Sequence, residues 1–286
     1  MQKIKRYFLQ HNICFHLCAL VLWLWGLTLI IVLVMGLLIS LREGLDYALY
    51  PRKFIPDVFM FSNYAEAIRT LSFGTTSYLD MIWNSIWFTF GTTFMKVLAT
   101  TLCAYTVAKY NFPGRKVFYG FIIVQLMLPI YGQTTANYKL LSTMGMVDNG
   151  WFLLAQGAGH GMYFLIMYSY FENLSSMYME AARIDGANDF TILFRIMLPM
   201  AKPLIVAISL MIFIATWNDY STPLIYLPNH LTLGAGLYRY KTIAAYTLNT
   251  PVYFAGIFLS ALPAAVLFIV FNKTLMENLT IGGLKG

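Results

Sequence analysis

An all-α integral membrane fold, with six crossings and both termini on the cytoplasmic side, is what this sequence predicts, and three observations carry the prediction. The first is composition: of 286 residues, 59% are hydrophobic and 11% charged, where a soluble domain of this size carries about 25% charged residues. The second is that the apolar residues come in continuous runs, long enough to cross ~30 Å of hydrocarbon at ~1.5 Å per residue. The third is where lysine and arginine fall. With the N-terminus inside, eleven of them sit in inner segments and seven in outer ones, a lean in the direction of the positive-inside rule. Glu43, Asp46, Asp57, Glu66, Asp80 and Asp148 all fall outside, although acids count little in that rule.

Residues 1–16 read as a cytoplasmic N-terminal segment carrying Lys3, Lys5 and Arg6, and 17–286 as the membrane domain. The expected spans are 17–41, 81–108, 117–138, 151–171, 203–222 and 252–271. The first follows a basic start, as a signal peptide would, but it is too long for one and lacks a small-residue cleavage site, so it should stay as an anchor. Between spans one and two, residues 42–80 contain Pro51, Pro56 and Gly74; they are too polar to insert, and a short helix is expected after Ser62. Pro129 and Pro263 are expected to interrupt spans three and six. No internal repeat stands out, which weakens any reading built on two inverted halves.

The net charge of +7 and pI near 9.2 do not imply nucleic acid, because the basic residues are scattered singly between apolar runs; membrane orientation accounts for them. Cys14, Cys18 and Cys103 form no disulfide framework and no CxxC pair. Cys14, His16 and Cys18 lack a fourth metal ligand and read as packing. No phosphate-cradling glycine loop followed by Lys and Ser or Thr is present, the run Gly157-Ala158-Gly159 included. No catalytic residue is assigned: a membrane enzyme would need a clustered constellation, and His11, His16, His160 and His230 are dispersed. An ion-coupled secondary transporter would need intramembrane carboxylates, and only Asp219 lies near the end of a span.

The inner segment 172–202 is the most informative. Ser175 or Ser176 can cap a helix running to Asp185, Gly186 supplies a left-handed stop, and Asn188 can cap a second helix that ends before Pro199. Such a unit projects from the membrane. Ala181 and Ala182 offer a small-residue surface for close packing of another protein, with the Glu180 carboxylate beside it. Arg183 and Asp185 suit orientation of the loop, or a solvated face.

Glu180, Ala181, Ala182, Gly186, Ile196, Leu198 and Pro199 follow the pattern Glu-Ala-Ala, three residues, Gly, nine residues, Ile-x-Leu-Pro. That pattern resembles the EAA loop of binding-protein-dependent ABC importer permeases. Asn84 and Ser85, Ala104 with Tyr105, and the run Phe112-Pro113-Gly114-Arg115-Lys116 are similar to the carbohydrate-uptake branch, the smaller maltose-permease subunit in particular. So are Trp217-Asn218-Asp219, Pro223-Leu224-Ile225 and the tail from Leu279 to Gly286. The tail departs from the usual Leu-Thr-Ala-Gly-Ala-Val-Lys-Gly, and Tyr220-Ser221-Thr222 replaces the usual aromatic-Leu-Trp.

The resemblance implies a type I importer permease fold in a bacterial or archaeal cytoplasmic membrane. It implies a second homologous permease subunit, a cytoplasmic ATPase dimer that binds ATP and Mg, and an extracytoplasmic solute-binding protein delivering a carbohydrate, an oligosaccharide and in one subset an acidic one. A non-sugar solute is the alternative cargo. The chain itself would hold no cofactor, and Glu180, Ala181, Ala182, Arg183, Asp185 and Gly186 would form the coupling helix seated in the ATPase.

Polar and aromatic groups suited to a sugar route are Asn84, Lys96, Gln125, Gln133, Trp217, Asn218 and Asp219, since sugars bind through hydroxyl hydrogen bonds and aromatic stacking. Each could equally make an interhelical hydrogen bond worth on the order of 1 kcal/mol. Lys96, mid-span, either faces the route, where it would attract an acidic sugar such as a uronate, or pairs with a carbonyl or carboxylate of the partner subunit, or snorkels to an interface.

Overall fold

The computed structural model describes residues 13–128, 132–158, 161–243 and 249–281. Pro129, His11, His160 and the tail residues 282–286 lie outside the described residues. Everything described is helix or connector, apart from one isolated bridge between Phe73 and Thr76. The chain divides into two compact units: residues 1–71 with 241–259, and residues 72–240 with 260–286.

In the first unit, α1 (Ile13–Ser40) is apolar on every face and largely exposed, as a helix solvated by lipid must be. Near its end Gly36 lets Phe254 and Phe258 of a later helix approach closely. Two short helices follow, α2 (Gly44–Leu49) and α3 (Ser62–Thr70), the second at the place expected after Ser62. They are organised by Arg42, whose side chain is 0% exposed. Its guanidinium donates to the Asp46 carboxylate at 2.6 and 2.9 Å and to the carbonyls of Lys53, Tyr50 and Asp46 at 2.8, 3.0 and 3.1 Å. Asn63 donates to the carbonyls of Ser40 and Arg42 at 2.9 and 2.7 Å, which ties α3 to the end of α1. Residues 42–71 are therefore a folded cap built on one buried cation.

The second unit is built around α4 (Tyr78–Lys109), which opens on a reciprocal capping box between Ser77 and Asp80. α5 (Arg115–Met127), α6 (Gln133–Thr143) and the single turn α7 (Phe152–Ala155) lead through a 3-10 turn at Gln156–Ala158 to α8 (Gly161–Asn173). After α9 (Met177–Ile184) and α10 (Asp189–Ile192), a π-helical stretch at Leu193–Met197 runs into α11 (Leu198–Trp217). The short α12 (Ser221–Tyr226) and α13 (Leu233–Ile243) precede α14 (Thr250–Ile281), of which the part up to residue 259 belongs to the first unit and the part from 260 to this one. α4 packs against α8 and α11, and their shared core includes Ala104, Tyr105, Phe164, Met167, Phe171, Ala201 and Ile208.

Close approach in this unit depends on glycine. A Cβ on Gly236 of α13 would lie 2.3 Å from the sulfur of Met81, and Met81 is itself buried. Gly236→Ala is therefore expected to destabilise by about 1–3 kcal/mol, the usual cost of overpacking, and to lower the melting temperature of the purified protein. Gly120→Ala is the control: its Cβ meets nothing within 4 Å, and the change should be neutral or slightly stabilising through helix propensity.

Among the described residues, four helical stretches are long and apolar enough to cross a membrane: Cys14–Ser40, Tyr78–Lys109, Asp189–Trp217 and Thr250–Phe271. Three differences from the sequence reading concern helix continuity. Residues 117–138 and 151–171 each contain more than one helix, and the glycine-rich stretch before α8 ends with Gly161 at φ +51°, a backbone that other L-residues rarely adopt. The helix expected to stop before Pro199 continues through it, because Pro199 falls in the first turn of α11, where its missing N–H goes unused, and the wider π turn precedes it. α14 likewise runs through Pro263.

Candidate coupling loop and transport pathway

Residues 172–202 fold as a helix, a turn and a second helix. α9 ends in a Schellman arrangement: the Ala187 N–H donates to the Ala182 carbonyl at 2.9 Å and the Gly186 N–H to the Arg183 carbonyl at 3.1 Å. Gly186 has φ +83°, the left-handed geometry that this motif requires at that position. The Asn188 side chain accepts from the Thr191 N–H at 2.8 Å and caps α10. At the start of α9, neither serine places its side chain as an ordinary helix cap; the Ser175 hydroxyl accepts from the Met177 N–H at 3.3 Å. Arg183 and Asp189 close the turn with an ion pair at 3.1 Å, and the hydrogen bond that Arg183 donates to the Asp189 carboxylate raises the guanidinium pKa. Tyr110, at the end of α4, is close enough to act on this pair and meets Tyr105 at 3.3 Å.

Inward, the loop stands on the core of the unit. Met179 and Ala182 are buried together with Phe171, Ile192 and Met197. The Lys109 ammonium donates to the Leu174 carbonyl, and the Tyr170 hydroxyl donates to the Met200 carbonyl at 2.6 Å. α9 thus rests on the packed faces of α4, α8 and α11. Outward, Glu180, Ala181, Arg183, Asp185 and Gly186 are exposed. Ala182 is not: at 8% exposure it faces the core, so the small-residue surface expected from the Ala pair comes down to Ala181. Ile184 is 87% exposed and lies one turn after Glu180, on the same side of the helix. Phe190 is exposed as well. Sequence reasoning missed Ile184, although its i+4 spacing from Glu180 on an amphipathic helix was the available signal.

The profile of the family described as "Binding-protein-dependent transport system inner membrane component" matches residues 96–274, which span this loop, α4 from Lys96 onward and most of α14. The chain belongs to that family. It is 34% identical to the maltodextrin transport system permease protein MdxG of Bacillus subtilis, over 75% of this chain and 78% of the relative. It is 26% identical to the diacetylchitobiose uptake system permease protein NgcG of Streptomyces coelicolor, over 91% and 85%. Its fold matches a chain of a crystal structure of a bacterial ABC transporter involved in the import of the acidic polysaccharide alginate, with a TM-score of 0.77, 24% identity, and 91% and 96% of the two chains covered. The molecule is thus a membrane-embedded permease of an ABC importer, a transport component rather than an enzyme, and one part of a larger assembly.

Within this permease the residues expected along a sugar route come from several helices. Asn84 is buried, donating to the Leu231 carbonyl at 3.2 Å and accepting from the Trp87 indole at 3.1 Å. The Trp217 indole donates to the Ser260 carbonyl at 2.9 Å, one turn before Pro263, where proline perturbs the helix's own hydrogen bonding. Asn218 donates to the Ile214 carbonyl at 2.8 Å, and Asp219 accepts from the N–H groups of Ser221 and Thr222 at 2.9 and 3.1 Å, opening α12. Gln125 and Gln133 are exposed on α5 and α6. Lys96 is half-buried on α4. Buried on the same helix, the hydroxyls of Thr92, Thr93 and Thr101 lack hydrogen-bond partners within the described residues.

Proposed function

We propose that this permease imports an oligosaccharide, working with a second homologous permease, a cytoplasmic ATPase dimer carrying ATP and Mg, and an external solute-binding protein. The reading takes the chain as six crossings with both termini cytoplasmic, residues 1–16 as an inner segment and 17–286 as the permease domain. One observation carries the coupling role: a rigid helix-turn-helix rooted in the core of α4, α8 and α11 leaves Glu180 and Ile184 exposed side by side. An apolar side chain beside a carboxylate suits a cleft on a basic partner, and closure of the ATPases would push α9 and the helices beneath it. The loop drives transport only to the extent that its contacts differ between the open and closed ATPase.

Carbohydrate cargo is supported by relatives named for maltodextrin, diacetylchitobiose, arabinooligosaccharides and galactooligosaccharides. Lys96 adds a preference for acidic saccharides if its ammonium faces the route. Asp219, the carboxylate on which an ion-coupled mechanism would rest, is engaged in capping α12.

Glu180→Arg tests the coupling. In the co-expressed assembly, reconstituted in vesicles, ATP-driven uptake of labelled oligosaccharide should fall at least tenfold, equivalent to about 1.4 kcal/mol, while the permease remains in the membrane. Uptake at the wild-type rate would remove the loop from the coupling path.

A further inference from the structure

Near the start of α4, at the opposite end from the coupling loop, a cavity of about 350 Å³ is lined by Trp83, Asn84, Trp87, Gly150 and His230. The distance along the helix from Trp87 to Lys109, where the loop attaches, is roughly 33 Å at the α-helical rise, so the cavity opens at the other membrane face. Trp83 and Trp87 are four residues apart and share one side of α4. Trp83 is 66% exposed. Trp87 spends its indole N–H on Asn84, and its ring meets the His230 imidazole edge-on, with centroids 6.5 Å apart.

The walls are held rigidly. Asp148 adopts φ +61°, the one left-handed non-glycine conformation among the described residues. Its N–H donates to the Tyr226 carbonyl at 2.7 Å, and its carboxylate accepts from the Asn229 N–H at 3.0 Å and from the Asn229 side-chain amide at 2.5 Å. Asn84 and Ser85 take up the Leu231 carbonyl and the Leu233 N–H. Three separate stretches of chain are thus locked around one opening, and a strained backbone held by this many contacts marks a place where geometry is being kept for a purpose.

We infer that the Trp83, Trp87 and His230 cavity is a saccharide-ring subsite at the mouth of the pathway, receiving one sugar unit as the solute-binding protein releases it. Indole faces cover the apolar face of a pyranose, the imidazole nitrogens reach its hydroxyls, and the volume lies at the lower end of ligand clefts, suited to a single ring. The inference rests on the carbohydrate reading above.

The test uses the complete assembly with its binding protein, arrested with ATP and vanadate in the presence of labelled maltotriose, diacetylchitobiose, arabinotriose or an alginate trisaccharide. Wild type should retain at least one of these. Trp83→Ala should retain at least fivefold less of it, and Trp83→Tyr most of it. In wild type the same saccharide should protect Trp83 from N-bromosuccinimide oxidation, read by peptide mass spectrometry, which serves also if the alanine variant fails to assemble. Retention by wild type with no protection of Trp83, or with Trp83→Ala unaffected, overturns the subsite and leaves the carbohydrate reading standing. Retention of none of the four overturns both.

Discussion

Gly186→Val is expected to abolish ATP-driven uptake while the permease still inserts and assembles. The left-handed conformation at φ +83° costs a non-glycine residue roughly 1–2 kcal/mol, and β-branching raises that cost. A Cβ there would meet nothing within 4 Å, so the whole penalty lies in the backbone. The chain can relieve it only by opening the Schellman turn, which separates Arg183 from Asp189 and rotates Glu180 and Ile184 away from their shared face. The expected readout is a loss of transport greater than for Glu180→Arg, with ATPase activity no longer stimulated by the loaded binding protein. Gly186→Asn is the discriminating variant. Asparagine tolerates left-handed geometry, so it should recover most of the transport. Normal uptake by the valine variant would show that the turn is not what the ATPase grips.

Arg42→Met should have the largest effect on stability. The methionine fills the volume but leaves the Lys53 carbonyl without its guanidinium donor, takes one of two donors from the Tyr50 carbonyl, which keeps the Lys53 N–H at 3.1 Å, and leaves the Asp46 carboxylate beside a thioether. Removing one partner from a buried charge network costs about 3 kcal/mol or more. The cap at residues 42–71 should become sensitive to limited proteolysis, and the melting temperature should fall. The same network sets a pH dependence. The hydrogen bond from Arg42, reinforced by the charges of Arg42 and Lys53, holds the Asp46 carboxyl below the ordinary carboxylate range despite partial burial. Its stabilising contribution is thus complete above the unfolded-state value and is lost as pH falls through the lower folded value. Proteolysis of this segment at mildly acidic pH should accordingly match that at neutral pH in wild type, with susceptibility appearing only in stronger acid.

How much of this could be read from residue order depends on how local each determinant is. The membrane class follows from composition and run length, which are sums over neighbours and need no tertiary information. The turn at Gly186 and the cap at Asn188 were equally legible, because both are closed by hydrogen bonds spanning three to five residues. The helix after Ser62 belongs to the same class.

Other features depended on partners distant in the chain. Ala181 and Ala182 are identical in kind, and only the packing of α9 on Phe171, Ile192 and Met197 turns Ala182 inward and leaves Ala181 exposed. For Asn84 the sequence leaves a ligand contact and an interhelical hydrogen bond equally open, and its amide meets the Leu231 carbonyl, 147 residues away. Trp217 is committed to Ser260 in the same way. Hydropathy also joined residues 117–138 and 151–171 into single runs, since it measures the cost of leaving water and is blind to backbone breaks. Sequence by itself thus determined the solvent in which this chain lives and the shape of its loop. The tertiary structure decided which side chains remain available to a partner or a cargo, because availability is whatever the rest of the fold has not already bonded.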